Sequence, residues 1–369
     1  MNMLNTVEDI IKFIDDTAFK KIFVLCGKKS FITTKADIYL KKTLKKKETI
    51  FFFKDSYLPI FEELTQIIKA IRNFKPDLIL AIGGGAVIDY AKIANVAELS
   101  DNLKDLIVNY SYPFKKKYTK LAVIPTTAGS GAEVTPSAVI YINSIKQSFE
   151  NELLMPDYFF LIPEFAMSAP TKIKASAGFD AIAQALESIV SKKSNEKSLD
   201  YACKSLEIST KNYISFLNDS NLKNAAQMTI ASHLAGKAIG ISKTTAPHAT
   251  SYSFSSIYNI SHGHAVGLFF EKFFKFNFDN VDKSETSFSL KKRFDIIFKL
   301  FDAKNIDDFS SKIKLIKKQA DIVDDLGMLN IDIKKDSEKI IKGINLLRLG
   351  NNPVKIDEKD IYNIISKIN

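Results

Sequence analysis

Residues 76–99 read PDLILAIGGGAVIDYAKIANVAEL, and this stretch decides the fold. After Pro76-Asp77 it runs apolar without interruption into three glycines, as a strand buried on both faces does. From Ala86 onward the apolar residues fall at helical spacing. A buried strand that turns through glycines into a helix is part of a βαβ unit. The same alternation repeats outward. KKIFVLCG (20–27) and ETIFFFKD (48–55) read as strands and LPIFEELTQIIKAIRNF (58–74) as a helix. KLAVIPTT (120–127) and SAVIYIN (137–143) read as two more strands. A Rossmann-like α/β domain with a parallel sheet is expected. After about residue 165 only long helical stretches follow, through to residue 369, so the second domain is expected to be all-α. Pro163 and Pro170 bracket the change, which gives expected domains 1–165 and 166–369.

The 369 residues suffice for two domains. Hydrophobic residues at 46% and charged residues at 25% exclude disordered and collagen-like classes. Lys and Arg number 52 against 42 acids, a net charge of +10, yet only Arg72, Arg293 and Arg348 are arginine. The chain is also rich in Ile, Asn and Phe and has no Trp, so part of the basicity follows from AT-biased coding. A reader of nucleic acid favours the arginine fork, and no nucleic-acid partner is expected. A positive field instead suits a small anionic substrate or cofactor. Cys26 and Cys203 form no C-x-x-C pattern and are expected to be buried, reduced thiols of a cytoplasmic protein. The N-terminus carries acids where a signal peptide is basic. No run of 18 apolar residues appears, so no membrane partner is expected.

Four segments carry chemistry. Gly83-Gly84-Gly85-Ala86 opens a helix after a strand. Glycines admit a phosphate to the backbone, and the helix start offers unpaired N–H groups; a plain strand-to-helix link would look the same. Asp89 and Lys92 add polar groups near that end, or form a local surface pair. The second segment, IPTTAGSGAEVT (124–135), offers hydroxyls from Thr126, Thr127 and Ser130. It suits a loop that wraps a nucleotide, or an ordinary surface loop. Third, Asp180 and Gln184 lie four residues apart on one helical face. They can ligate a metal together, or serve as a helix acid and a buried amide. The fourth, PHATSYSFSSIYNISHGHAVGL, holds His248, His262 and His264 of only four histidines. The other, His233, reads as structural. His248 and His262 would stand ~21 Å apart on one straight helix. The turn residues Asn259-Ile260-Ser261 let the chain fold back and bring them together. Two imidazoles in a histidine-poor chain point to a divalent metal.

In order and spacing, GGGAVIDYAK, PTTAGSGAEVT, GFDAIAQALES and the H-x13-HG segment resemble the iron-containing (group III) alcohol dehydrogenases over essentially the whole chain. The resemblance implies a nucleotide-binding α/β domain, a helical domain and a divalent metal in the cleft between them. Gly83, Gly84, Gly85 and Ala86 fall where the family binds the cofactor pyrophosphate, and Thr126, Thr127 and Ser130 on its nucleotide loop. Asp180, His248 and His262 fall on metal-ligand positions. The fourth ligand is usually His and here is Gln184, a weaker, harder donor. Ala86 stands where Ser is frequent, and Tyr252 where many members carry His. The TTAPHATSYSF…HGHAV wording is most similar to a branch that includes phosphonoacetaldehyde reductases. The implied activity is hydride transfer between NAD or NADP and a small alcohol/aldehyde pair, with Fe2+ ahead of Zn2+ as metal. Tyr252 or a solvent-exposed His264 would relay the proton beside His262. Gly27 stands where strict NAD users tend to carry an acid, so NADPH is expected to be accepted. The expected partners are a small-molecule substrate and a second copy of the chain. Two alternatives remain: a sugar-phosphate cyclase of the dehydroquinate synthase type, and a metal-free protein of the same fold.

Overall fold

The computed structural model describes residues 3–109, 111, 114–143 and 145–366; the end of the expected helical stretch, 367–369, lies outside them. The chain divides into two compact units, Met1–Pro170 with Asn221–Ile230, and Thr171–Ser220 with Ala231–Asn369.

The first unit is built on strands β1 (Lys21–Gly27), β2 (Glu48–Lys54), β3 (Leu78–Gly83), β4 (Lys120–Pro125), β5 (Ser137–Ile142), β6 (Ile145–Glu150) and β7 (Tyr158–Phe159). Five of them make one parallel sheet in the order β2-β1-β3-β4-β7. Both faces of its central strands are covered, which is why they read as continuous apolar runs. Helices α1 (Phe61–Phe74) and α2 (Gly85–Val96) pack on Phe23, Leu25, Ile79, Ala81, Leu121 and Val123. The alternate residues Ile22, Val24, Cys26, Leu80, Ile82 and Ile124 face Ile10, Ile14 and Phe165.

SAVIYIN does not join this sheet. It is β5, which pairs antiparallel with β6 as a separate two-stranded ribbon. Only residues 143 and 144 separate the two strands. Such a link closes a hairpin, whereas a parallel crossover needs a dozen or more residues. Asn143 accordingly takes a left-handed conformation, φ 50°. The fifth strand of the parallel sheet is instead the two-residue β7.

The chain leaves β1 for β2 on one side and returns to β3 on the other. That reversal is a topological switch point, the place where open α/β sheets bind ligands beyond their carboxyl ends. Gly27 and Gly83 end the two strands that flank it.

The second unit is helical among its described residues. Its labelled helices are α3 (Thr171–Val190), α4 (Glu196–Asn218), the end of α5 (Leu222–Ser242), α6 (Ala246–Tyr258), α7 (His262–Gly267) and α8 (Leu346–Leu349). Helix α3 is its axis, with every residue from Gly178 to Val190 buried. Among the described residues no helix is long and apolar enough to cross a membrane. Both cysteines are free; Cys26 is buried, whereas Cys203 is half-buried rather than buried as expected.

Candidate active site

In the first unit, β3 runs into α2 through Gly84, the residue that caps the helix with extended backbone. The amides that open α2 lack carbonyl partners within the helix and face the end of the sheet. The 126–131 loop folds over this turn. The Thr126 amide donates to the Gly83 carbonyl at 3.0 Å. A Cβ on Gly85 would stand 3.0 Å from Ser130 Oγ, whereas one on Gly84 would meet nothing closer than Thr127 Oγ1 at 3.5 Å. Gly83, Gly84, Gly85, Ala86, Thr126, Thr127 and Ser130 are therefore gathered at one strand end. Gly27 ends the neighbouring strand, followed by the exposed Lys28 and Lys29.

Asp89 and Lys92 are not a surface pair. Lys92 is fully buried, and its Nζ donates to the carbonyls of Thr135 (2.7 Å) and Ser137 (2.9 Å). Burial lowers Lys92 to about 8, against Asp89 and Glu133. Burial raises the Asp89 carboxyl to about 6, against Lys92, Lys146 and the Val139 amide. The lysine stitches α2 to the segment that follows the nucleotide loop. Helical spacing placed it near the helix start without revealing that β5 covers that face.

In the second unit, α3 presents Asp180, Gln184 and Glu187 at i, i+4 and i+7, all buried. Gln184 Nε2 donates to Asp180 Oδ2 at 3.0 Å. Thr245 and Pro247 start α6 so that His248 lies in its first turn. His248 Nε2 lies 3.1 Å from Asp180 Oδ1, and its Nδ1 meets Glu187 Oε2. Asn259, at φ 54°, ends α6 and turns the chain. Helix α7 then begins at His262, whose Nε2 reaches 3.8 Å from Asp180 Oδ1. The expected bend between the two histidines is thus present. One donor atom from each of Asp180, His248 and His262 lies within 4.8 Å of the others. His248 and Asp180 are enclosed, while the His262 side chain is 35% exposed, so the triangle opens on that side.

Glycine makes this approach possible. A Cβ at Gly263 would lie 1.9 Å from the Ser176 carbonyl oxygen and 2.9 Å from Asp180 Cβ. Only a residue without a side chain lets α7 lie directly on α3. Gly263→Ala is expected to lower stability by at least about 1–3 kcal/mol, since a backbone carbonyl cannot swing aside. Thermal melting of the variant checks this, and an unchanged Tm would contradict the packing.

Glu187 is the functional residue that sequence reasoning missed. Its Oε1 accepts from the Thr245 amide (2.8 Å) and hydroxyl (2.9 Å), so the carboxylate is fixed before it meets His248. A carboxylate behind a metal-ligating histidine sets the tautomer and raises ligand basicity. The signal was available as the third member of the i, i+4, i+7 face. Burial by itself would lower His248, but Glu187 and Asp180 outweigh it and raise the imidazole to about 9. Two buried carboxylates around one imidazole call for positive charge, which a divalent ion supplies.

The donor set fits such an ion. Metal–ligand bonds of ~2.1 Å place tetrahedral donors roughly 3.4 Å apart, and the Asp180–histidine separations bracket that value. Gln184 Oε1 is buried without a hydrogen-bond partner among the described residues, an arrangement that a fourth coordination bond would satisfy.

Tyr252 lies at the site, its ring centroid 5.7 Å from that of His262. Burial raises its hydroxyl, and the facing Arg348 pulls it back. His264 is not solvent-exposed. It is half-buried, and its Nε2 is engaged by the Val323 carbonyl. Two residues along α7 from His262, it points to a different neighbour and stands outside the triangle.

The family model "Iron-containing alcohol dehydrogenase" matches residues 4–163, and "Fe-containing alcohol dehydrogenase family, C-terminal" matches 174–369. The chain belongs to the iron-containing alcohol dehydrogenase family and is an oxidoreductase acting on CH–OH groups. The 4-hydroxybutyrate dehydrogenase of Clostridium kluyveri is 30% identical, with 100% of both chains covered. The archaeal alcohol dehydrogenase ADH/D1 from a Red Sea brine pool shares the fold, with TM-score 0.87 at 21% identity over 99% of this chain and 98% of that one. An iron-containing alcohol dehydrogenase of Thermotoga maritima gives TM-score 0.80 at 25% identity over 97% and 94%.

Proposed function

We propose that this protein interconverts a small aldehyde bearing an acid group and its primary alcohol, with NAD(P) as hydride carrier and a divalent metal, Fe2+ ahead of Zn2+, held by Asp180, His248, His262 and Gln184. The observation that carries the reading is the Asp180–His248–His262 triangle with the unpartnered Gln184 oxygen beside it. When bound, the metal supplies Lewis acidity toward a substrate oxygen. Glu187 holds the proton on His248 Nδ1 and leaves Nε2 as the ligating nitrogen. Tyr252 lines the His262 side. The opening amides of α2 take the cofactor pyrophosphate, with Thr126, Thr127 and Ser130 around it. When bound, the nicotinamide would supply hydride chemistry toward the substrate carbon.

The acid group is supported by the C. kluyveri relative, whose named substrate carries a carboxylate. Phosphonoacetaldehyde offers the same pattern of an aldehyde with an anionic end. The test is nicotinamide absorbance with succinate semialdehyde, phosphonoacetaldehyde and neutral aldehydes, each with NADH and NADPH. The reading expects faster turnover of the anionic aldehydes and, because Gly27 presents no carboxylate, a measurable NADPH rate. A cyclase would show no net absorbance change.

Gly84 provides a clean probe of the cofactor site. Among the described residues nothing comes closer to a Cβ there than Thr127 Oγ1 at 3.5 Å, so Gly84→Ala leaves the fold intact. A methyl facing the pyrophosphate is expected to raise the cofactor KM roughly 10-fold or more, by loss of charge-assisted contacts. An unchanged KM would show that the turn is only a structural link. Gly85→Val is less informative, because its side chain would also strike Ser130.

A homodimer is proposed through β2. It is an edge strand of the sheet, with Ile50, Phe51 and Phe53 43%, 41% and 44% exposed. Such an edge is protected by pairing with the same strand of a second copy about a two-fold axis. Light scattering should give twice the chain mass for the wild type and less for Phe51→Lys; a monomeric wild type rejects the proposal.

A further inference from the structure

The chain has three arginines among 52 basic residues, and two are committed to structure. Arg72 donates through Nη2 to the carbonyls of Ala94 (2.9 Å) and Ala97 (2.7 Å), its guanidinium over the Tyr118 ring. Arg293 pairs with Glu196 at 3.2 Å and covers the Phe288 ring. Arg348 differs. Among the described residues its guanidinium pairs with no carboxylate, and it faces the Tyr252 hydroxyl.

Its position is built. Helix α8 packs against α6, the helix that carries His248 and Tyr252. The Asn345 amide donates to the Ala249 carbonyl at 3.3 Å, and Asn345 Oδ1 caps the Arg348 amide at 2.9 Å. The arginine is thereby tied to the turn of α6 between His248 and Tyr252. Tyr252 therefore touches both groups: its ring centroid lies 5.7 Å from that of His262, and its hydroxyl meets this guanidinium.

We propose that Arg348 recognises the acid group of the substrate, while the substrate's oxygen-bearing carbon lies toward the Asp180–His248–His262 triangle. The inference rests on the dehydrogenase reading above and adds a residue that selects the substrate. A planar guanidinium offers parallel N–H donors that match a carboxylate or phosphonate. The Tyr252 hydroxyl occupies one side of it and fixes its orientation. Asp180 and Glu187 already balance the two charges of a divalent ion, so an acid group at the far end of the substrate needs a cation of its own. A lysine, abundant elsewhere in this chain, would supply a point charge without the fork.

The test compares wild type, Arg348→Met and Arg348→Lys on succinate semialdehyde and on pentanal, a neutral aldehyde of similar length. For Arg348→Met the ratio of kcat/KM for the anionic aldehyde to that for the neutral one should fall roughly 10–100-fold, the scale of hydrogen bonds to a charged group. The fall should lie mainly in KM, with Arg348→Lys recovering part of it. An unchanged ratio overturns the inference. Thermal melting of each variant without ligand confirms folding. If the wild type reduces neither aldehyde, the dehydrogenase reading fails, and binding then decides about Arg348. Saturating 4-hydroxybutyrate should raise the Tm of the wild type and not that of Arg348→Met; equal shifts, or none in either protein, overturn the inference.

Discussion

His262→Ala is expected to lower aldehyde turnover about a thousandfold or more while NAD(P)H binding stays near that of the wild type. Loss of a Lewis acid removes several kcal/mol of transition-state stabilisation, and each 1.36 kcal/mol is about a factor of ten. The selectivity of the effect follows from the architecture. His262 belongs to the helical unit, whereas the glycine turn that would hold the cofactor belongs to the sheet unit. Steady-state kinetics and a titration of nicotinamide fluorescence check the two halves of the prediction. Full activity in the variant would remove the metal assignment.

Glu187→Gln should weaken metal binding roughly 10–100-fold, the range found when the partner behind a ligating histidine is lost. The substitution preserves shape, and its amide oxygen can still accept from the Thr245 amide and hydroxyl. Stability should therefore change little. The change removes the charge that raises His248 and permits the wrong tautomer. Competition with a chelator of known affinity measures the effect. Unchanged affinity would reduce Glu187 to a helix-start anchor.

Much of the sheet was legible because burial on both faces leaves a simple trace. LILAIG is apolar throughout, KIFVLCG and KLAVIP are apolar after their first lysine, and each is a strand of the parallel sheet. Strand β5 was misassigned to that sheet because an apolar run does not disclose its partner, and β6, IKQSFE, was not read as a strand at all. The decisive clue was the short link at residues 143 and 144. Strand β7 left no periodic signal, since two residues cannot show alternation. At the site, Asp180, Gln184, His248 and His262 were legible through helical spacing, rarity and the turn at Asn259. For Lys92 the sequence left a polar group at the helix start and a surface pair equally open, because its burial depends on the ribbon that covers α2. Arg348 could not be found from sequence at all: it lies 96 residues beyond Tyr252 and meets it only through the packing of α8 on α6. His264 shows the opposite error, a histidine beside the motif whose ring is taken up by a backbone carbonyl.

The most direct measurement of the central claim is nicotinamide absorbance with succinate semialdehyde, using protein purified without chelator, then stripped of metal, then resupplied with Fe2+. Turnover is expected in the first sample, loss of turnover but retained NAD(P)H binding in the second, and recovery in the third, with about one ion bound per chain. Full turnover in the stripped protein would contradict that claim.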